Sequence, residues 1–301
     1  MPQSKRFSGI YAPIATVFTP ENVIDWQAME ENISFYNKTS LAGLVVLGSN
    51  GEFALLSHQE KVELISFTRE KLSAEKHLIA GTGCESAIET IELSKEAAAA
   101  GAEAALVITP WYYKGSYTEA VLAKHFETIA DALPIPLMLY NMPRNTGINI
   151  TAQLAIKLSG HDNIVGVKDS GGDIVQISNI IGNTPDDFAV FAGSGSFLMA
   201  TILAGGSGGT LAIANVMPEQ CVELFNLCNE GKIEEARRLQ QTLMQPNAAV
   251  TSGFGIPGLK KALELIGLYG GAPRLPLLPL DEAGSTKLAQ ILRDAGVKIK
   301  E

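Results

Sequence analysis

The stretch HLIAGTGCESAIETIELSKEAAAAGAEAALVITP, residues 77–110, contains two short apolar runs separated by a helical segment. The runs, 77–83 and 104–110, are rich in Leu, Ile, Val and Ala and lack a helical stripe, which is typical of parallel strands buried on both faces. The segment between them, 86–102, has a helical pattern and ends at Gly101, a residue type that commonly terminates helices. We therefore predict a strand–helix–strand unit.

The same alternation of apolar run and helical segment recurs along the chain. The runs are 9–18, 42–49, 77–83, 104–110, 135–141, 163–169, 188–194 and 208–215. Strand–helix units repeated eight times in roughly 250 residues are typical of a (β/α)8 barrel, or TIM barrel. A doubly wound open sheet is the alternative, and the near-equal spacing of the units favours closure. We therefore predict an α/β TIM barrel.

The pattern changes near residue 230. Helical segments then follow one another without strands between them, namely EGKIEEARRLQQTLMQ, GIPGLKKALELIG and STKLAQILRDAG. No linker rich in Pro, Gly and Ser separates them from the barrel. We predict a barrel catalytic domain over residues 1–231 and a helical C-terminal extension over residues 232–301 that packs on it.

The composition restricts the partners and the location of the chain. A net charge of −9 and an isoelectric point near 5.1 argue against nucleic acid and anionic membranes as partners. No apolar run reaches the roughly 18 residues of a membrane span, and the N-terminus enters a strand-like run too early for a leader peptide. The three cysteines, Cys84, Cys221 and Cys228, are too scattered for a disulfide framework or a zinc site. We expect a cytoplasmic protein with reduced thiols.

Polar side chains follow the strands at their carboxyl ends, where barrel enzymes have their active sites. The second run ends in Gly48–Glu52, the fourth in Thr109–Tyr113, the fifth in Tyr140 and Asn141, the sixth in Lys168–Ser170, and the last two in residues 193–196 and 213–215. Because parallel strands end at the same rim, we expect one site that contains a single lysine.

Lys168 follows the apolar run Ile164–Val167, so we expect its side chain to be buried. That run disfavours a surface lysine and leaves two interpretations, a buried ion pair with a neighbouring carboxylate and a Schiff-base lysine. Burial lowers the pKa of an ammonium group and supplies the neutral amine that attacks a ketone. The iminium that follows is an electron sink for making or breaking a bond at the neighbouring carbon.

Schiff-base chemistry needs a proton shuttle, and a tyrosine hydrogen-bonded to a second hydroxyl can serve as one. Tyr140 is the candidate, with Ser49 and Tyr112 as candidate relay partners. The turn Ser49-Asn50-Gly51 offers backbone and side-chain donors to a substrate carboxylate. The four histidines, His58, His77, His125 and His161, lack metal-ligand spacing, so the sequence implies no metal and no cofactor.

With these residues in place, the chain resembles the pyruvate-dependent class I aldolase family, which includes dihydrodipicolinate synthase and N-acetylneuraminate lyase. The resemblance extends over nearly the whole chain, and its most specific motifs are GSNGE (48–52), YNMPRNTG (140–147) and GVKDS (166–170). It implies an imine between Lys168 and pyruvate and proton transfer by Tyr140. It also implies that Ser49 and Asn50 meet the keto-acid carboxylate. In this family Tyr112 would complete the relay from a neighbouring subunit of a homotetramer, a dimer of dimers.

The sequence departs from dihydrodipicolinate synthases at two places. Those enzymes usually have two threonines where this chain has Ser49 and Asn50. Their arginine for the carboxylate of aspartate semialdehyde corresponds to Asn145, and the arginine is displaced by one residue, to Arg144. Because such a shift changes where a side chain points, we assign Asn145 and not Arg144 to the substrate-binding set.

Other segments resemble the family members that cleave 4-hydroxy-2-oxoglutarate, among them GTGCES (81–86), TPWYYKG (109–115) and PNAAVTSGFGIPGLKK (246–261). This implies retro-aldol cleavage to pyruvate and glyoxylate, with Ser170 near the distal carboxylate and Asn145 at the variable end of the substrate. Gly51 and Thr210 complete the predicted substrate-binding set. Condensation of pyruvate with aspartate semialdehyde and cleavage of other 2-keto-3-deoxy acids stay open. Outside enzymes, the alternative is a keto-acid sensor in which Lys168 serves only as a charge.

Overall fold

The computed structural model describes residues 7–300, and its parallel strands close into a barrel in the order of the sequence. The strands are β1 (Gly9–Pro13), β2 (Gly43–Val46), β3 (His77–Gly81), β4 (Ala104–Ile108), β5 (Leu137–Asn141), β6 (Ile164–Asp169), β7 (Ala189–Ala192) and β8 (Gly208–Thr210). Strand β8 pairs with β1, with Thr210 opposite Tyr11. An open sheet has two unpaired edges, so this closure confirms the TIM barrel and excludes the doubly wound alternative. Residues 1–6 lie outside the described range. They belong to the N-terminal segment for which the sequence predicts no leader peptide.

Helices cover the outside of the barrel. They are α1 (Trp26–Asn37), α2 (His58–Lys71), α3 (Ala87–Ala99), α4 (Glu119–Ala132), α6 (Ala152–Leu158), α7 (Ile174–Asn183), α8 (Leu198–Leu203) and α9 (Pro218–Asn229), while the short helix α5 (Pro143–Thr146) follows β5 at the rim. Polar loop residues fix where the helices begin, as at α2, where Ser57 and Glu60 exchange side-chain hydrogen bonds with each other's backbone N–H groups. Within residues 7–300, no helix is both long enough and apolar enough to cross a membrane.

The strands are buried on both faces because side chains point alternately to the barrel interior and to the helix layer. This explains why they are continuous apolar runs without alternation. Strand β6 pairs with β5 in a register that sets Lys168 opposite Tyr140 and Asp169 opposite Asn141. The backbone ladder therefore places the lysine and the tyrosine side by side at the rim.

The C-terminal segment consists of α10 (Ile233–Ala248), a π turn (Ala249–Gly253), α11 (Gly255–Leu265) and α12 (Glu282–Asp294), which confirms the helical character predicted for it. Leu243, Leu259 and Leu288 belong to the same buried apolar cluster as Ile10 and Leu44 of the barrel. The helices therefore pack on the barrel. The division of the chain at residues 231 and 232 stays a prediction.

Gly166 lies in β6 where β7 approaches closely, and it gives a test of the packing. A Cβ there would lie 2.4 Å from the carbonyl oxygen of Ala189. Because β7 cannot retreat without disturbing closure, we expect Gly166→Ala to lower the free energy of unfolding by about 1–3 kcal/mol, the usual cost of overpacking. Chemical denaturation would measure this. The control is Gly182→Ala in α7, where a Cβ meets nothing within 4 Å and alanine favours the helix; equal losses in the two variants would contradict the prediction.

Candidate functional site

A cavity of about 730 Å³ opens at the carboxyl ends of the strands. The predicted site residues in its wall are Ser49, Asn50, Tyr140, Asn145, Lys168, Ser170 and Thr210. They come from parts of the chain that are up to 161 residues apart, between Ser49 and Thr210. They meet because parallel strands deliver their carboxyl ends to one rim.

Lys168 reaches the cavity beside Tyr140. Its Nζ lies 4.2 Å from the centroid of the Tyr140 ring, and the residue is only 3% exposed. Within residues 7–300, no group forms a hydrogen bond or an ion pair with this nitrogen, although the end of a lysine side chain can donate up to three hydrogen bonds. The nitrogen is therefore free to react with a ligand in the cavity.

The neighbouring carboxylate, Asp169, does not form the buried ion pair that was one interpretation of Lys168. Successive side chains of a strand point to opposite faces, so Asp169 faces away from the cavity. Its carboxylate accepts hydrogen bonds from Asn141 Nδ2 at 2.7 Å and from the Gly171 N–H at 2.8 Å. Asp169 thus fixes the loop that brings Ser170 into the cavity wall.

Tyr140 is hydrogen-bonded to Ser49 in the cavity wall. Their hydroxyl oxygens lie 3.2 Å apart, and either can donate. Ser49 begins a short 3-10 turn, Ser49–Gly51, that follows β2 directly, so the strand end fixes its position. An amine, a phenol and a second hydroxyl therefore stand in sequence, which is the arrangement that imine formation with proton transfer requires.

Asn50 and Thr210 complete the part of the wall near Ser49. The Asn50 side chain donates from Nδ2 to the carbonyl oxygen of Pro13 at 3.3 Å, which anchors the amide at the rim. Thr210 is buried at the end of β8 and presents its side chain to the cavity. Both side chains can donate hydrogen bonds to a carboxylate bound at this end of the cavity.

Two predicted site residues do not line the cavity. Gly51 is buried behind the turn, where its carbonyl oxygen accepts a hydrogen bond from Thr16 Oγ1 at 2.7 Å and a Cβ would lie 3.2 Å from the Ile14 oxygen. Tyr112 is 74% exposed and packs edge-to-face on Tyr113. Gly51 is therefore a part of the turn that does not face the cavity, and the Tyr112 ring lies outside the cavity of its own chain.

Several lining residues were not assigned from the sequence, namely Arg144, Ser194, Ser196, Asn247, Val250, Thr251, Ser252 and Ile256. Those from Asn247 onward belong to the C-terminal segment, where the π turn widens the helix beside the cavity. The only sequence signal there is PNAAVTSGFG (246–255), a run of small and helix-breaking residues between two helical patterns. The C-terminal extension thus forms one wall of the site.

The charge of the cavity is positive. Its described lining contains two basic residues, Lys168 and Arg144, and no carboxylate. The displacement of the arginine by one residue therefore does not remove it from the cavity, contrary to the assignment made from the sequence. Its guanidinium forms no hydrogen bond or ion pair with any other residue of the range 7–300. A cavity of this kind favours an anionic ligand.

Other potentially reactive groups lie away from the cavity lining. Burial raises the pKa of the Cys84 thiol to about 11, and it also raises the pKa of Cys221. Such thiols stay protonated and are poor nucleophiles. The part of the chain that the structure describes has no cluster of three His, Cys, Asp or Glu side chains able to hold a metal ion.

Comparison with known proteins places this geometry in a family. Residues 6–295 match the model of the dihydrodipicolinate synthetase family. The chain is 36% identical to a 4-hydroxy-tetrahydrodipicolinate synthase of Methanococcoides burtonii, over 96% of this chain and 99% of the relative. It is 35% identical to a probable mitochondrial 4-hydroxy-2-oxoglutarate aldolase of Emericella nidulans, over 95% and 93% of the two chains. An L-threo-3-deoxy-hexylosonate aldolase of Hypocrea jecorina is 38% identical over 95% of each chain.

A solved structure extends the similarity to the fold. The dihydrodipicolinate synthase of Acinetobacter baumannii, determined in complex with pyruvate, superposes with a TM-score of 0.92 at 30% identity, covering 96% of this chain and 99% of the other. The matches span the barrel and the C-terminal helices together. The chain therefore belongs to the dihydrodipicolinate synthetase family and is a pyruvate-dependent class I aldolase or lyase.

Proposed function

We propose that the chain cleaves 4-hydroxy-2-oxoglutarate to pyruvate and glyoxylate. Lys168 Nζ attacks the C2 carbonyl, and loss of water gives the imine. When the C3–C4 bond breaks, its electron pair passes to the protonated imine and forms an enamine, while the C4 hydroxyl loses its proton and glyoxylate leaves. Protonation of C3 and addition of water to the imine then release pyruvate and restore the amine.

The observation that carries this proposal is the contact between a pair of hydrogen-bonded hydroxyls and a buried amine that has no hydrogen-bond or ion-pair partner within residues 7–300. Tyr140 lies against Lys168 and within 3.2 Å of Ser49. Its phenol can give a proton to the carbinolamine oxygen and take one from the C4 hydroxyl. Proton transfer of this kind must occur several times in one turnover, and Ser49 provides the second site of the relay.

The charge of the cavity supports a substrate with two carboxylates. The keto-acid carboxylate would meet Ser49 and Asn50, whose side chains can donate hydrogen bonds to it. The distal carboxylate would lie near Ser170 and Asn145, where Arg144 supplies a guanidinium that forms no hydrogen bond or ion pair with the described residues. No described lining residue would repel either carboxylate.

A second candidate is the condensation of pyruvate with aspartate semialdehyde. It is favoured by the similarity to a named 4-hydroxy-tetrahydrodipicolinate synthase, which is as high as the similarity to the hydroxyoxoglutarate aldolase. Both reactions pass through the same imine and enamine of pyruvate on Lys168, and they differ in the aldehyde, which is glyoxylate released by cleavage in one and aspartate semialdehyde added by condensation in the other. Cleavage of a deoxy sugar acid is the third candidate, on the corresponding similarity.

Tyr112 fits the proposal if the active protein is an oligomer, and we propose a homotetramer built as a dimer of dimers. The backbone N–H groups of Trp111 and Tyr112 donate to Glu85 Oε1 at 2.6 and 3.1 Å, so the loop that carries Tyr112 is anchored although its ring is exposed. An exposed aromatic ring on an anchored loop is suited to enter the cavity of a neighbouring copy. There it would extend the Ser49–Tyr140 relay.

Borohydride trapping tests the imine. The protein is incubated with pyruvate and sodium borohydride, and the product is mapped by peptide mass spectrometry. A reduced pyruvyl adduct on Lys168 is the expected result. No adduct on folded protein, or an adduct on another lysine only, would reject the proposal. Initial rates with 4-hydroxy-2-oxoglutarate, aspartate semialdehyde plus pyruvate, and a 2-keto-3-deoxy sugar acid then decide among the three candidates.

Arg144 gives a more specific test of the substrate. We expect Arg144→Met to lower kcat/KM for 4-hydroxy-2-oxoglutarate by roughly 10- to 100-fold, the loss typical of one charged hydrogen bond, mainly through KM. Trapping of pyruvate, which has no distal carboxylate, should be unchanged. Arg293→Met on α12, outside the cavity lining, is the matched control. Equal effects of Arg144→Met on the dicarboxylate and on pyruvate would contradict the assignment.

A further inference from the structure

A buried ion pair behind the cavity has no part in the reaction described above. Lys260 Nζ and Glu52 Oε1 lie 2.7 Å apart, and their side chains are 2% and 0% exposed. Neither residue lines the cavity. Because removing two charges from water is costly, such a pair is a weak way to stabilise a fold. Its position relative to the site suggests another role.

Glu52 directly follows the turn that carries Ser49. Its backbone has φ 56° and ψ 33°, in the left-handed region that residues other than glycine seldom adopt, and its N–H donates to the Ser49 carbonyl oxygen at 3.2 Å. Strained backbone of this kind persists only where the surroundings hold it. The Glu52 side chain provides that hold, because Oε2 also accepts the backbone N–H of Arg274 at 2.8 Å.

Lys260 lies on α11, one helical turn after Ile256 of the cavity wall. Its ammonium also donates to the Ala272 carbonyl oxygen at 3.1 Å and lies 4.5 Å from the centroid of the Phe18 ring. Burial lowers the pKa of Lys260, and the Glu52 carboxylate opposes this. The ion pair therefore joins the residue after the Ser49 turn to the helix α11, whose first turn contributes to the C-terminal wall of the cavity.

We infer that Glu52 is a positioning residue that acts through Ser49. Held by Lys260 and by the Arg274 N–H, it sets the turn so that the Ser49 hydroxyl meets the Tyr140 hydroxyl. The inference rests on the proposed function in one respect, since it requires that the Ser49–Tyr140 relay moves protons. It makes the C-terminal segment a determinant of the rate of the relay as well as a wall of the cavity.

The test measures the rate of imine formation with pyruvate in four proteins, which are the wild type, Glu52→Gln, Ser49→Ala and the double variant Glu52→Gln/Ser49→Ala. Glu52→Gln leaves one acceptor oxygen where Lys260 and the Arg274 N–H need two. With Ser49 present, we expect this change to lower the rate by about tenfold, a coupling within the range for neighbouring residues. In the Ser49→Ala background the same change should alter the rate by less than about twofold, because the group through which Glu52 acts is gone.

The control is Glu60→Gln. Glu60 also binds Arg274, with Oε2 2.8 Å from one guanidinium nitrogen, but it lies on α2 and not on the turn, so the rate should be unchanged. The inference would be overturned if Glu52→Gln lowered the rate of imine formation by the same factor in both backgrounds. It would also be overturned if the rate did not fall when Ser49 is present. If Glu52→Gln does not fold, the double substitution Glu52→Gln/Lys260→Met, which removes both buried charges, takes its place. Its effect on the rate is compared in the same two backgrounds, and the same outcomes support or overturn the inference.

The readout separates this inference from the proposed function. Imine formation needs only pyruvate, so the result does not depend on which second substrate is correct. Wild-type protein that forms no adduct would reject the proposed function, and this inference with it. An adduct on Lys168 together with equal losses in the two backgrounds would reject the role of Glu52 alone.

Discussion

Replacing Lys168 with arginine is expected to lower turnover by at least about 10⁴-fold, on the scale seen when enzymes lose their nucleophile. A guanidinium keeps the positive charge but stays protonated at all working pH values, so it cannot attack a carbonyl carbon. Steady-state rates at saturating substrate would measure the loss. Borohydride and pyruvate should leave the variant without an adduct, and thermal unfolding would show that it is folded.

The same substitution tests whether Lys168 is the nucleophile or serves only as a charge for the ligand. If Lys168 were only a charge, Lys168→Arg would keep its keto-acid affinity, and retained turnover would exclude Lys168 as the nucleophile. Lys157→Arg is the matched control, because the Lys157 side chain is 61% exposed on α6. It should leave turnover and trapping unchanged.

Tyr140→Phe should lower kcat by roughly 10²- to 10⁴-fold, the range that a single positioned proton-transfer group contributes. The phenylalanine ring can keep the contact with Lys168 Nζ, so the amine stays in place and only the hydroxyl is lost. We therefore expect a pyruvyl adduct on Lys168 after long incubation, although each turnover is slow. This combination of a trapped imine and a low kcat distinguishes loss of the proton shuttle from loss of the nucleophile.

The control for Tyr140→Phe is Tyr36→Phe. Tyr36 is another buried tyrosine, and its hydroxyl donates to Asn215 Oδ1 at 3.0 Å outside the cavity lining. Removing that hydroxyl should lower the free energy of unfolding by about 1 kcal/mol and leave kcat unchanged. If the two variants had similar kcat values, Tyr140 would not be the proton shuttle.

The barrel could be predicted because its strands are buried on both faces. A run such as AALVITP (104–110) carries no alternation, and its repetition with helices between the runs has few architectural solutions. The position of Lys168 at a strand end followed from the same pattern. Its register with Tyr140 did not, because a strand run gives no information on which residue of the next strand lies opposite.

The parts of the site that were missed depend on loops and on helix packing. Whether Arg144 points into the cavity depends on the short helix α5, whose direction neither charge nor hydropathy indicates. The wall at Asn247–Ile256 depends on how the C-terminal helices pack against the rim. Tyr112 illustrates a further limit, since its ring lies outside the cavity of its own chain.

Separate parts of the chain supply the reactive groups and one wall of the cavity, and this affects how the range of substrates can change. Strands β2, β5 and β6 supply the imine chemistry, while residues 244–256 supply a separate wall from the C-terminal segment. Exchanging that segment between homologues would remodel this wall of the cavity and leave Lys168 in place. A library restricted to the π turn is therefore the economical starting point for engineering a carboligase that accepts new aldehydes.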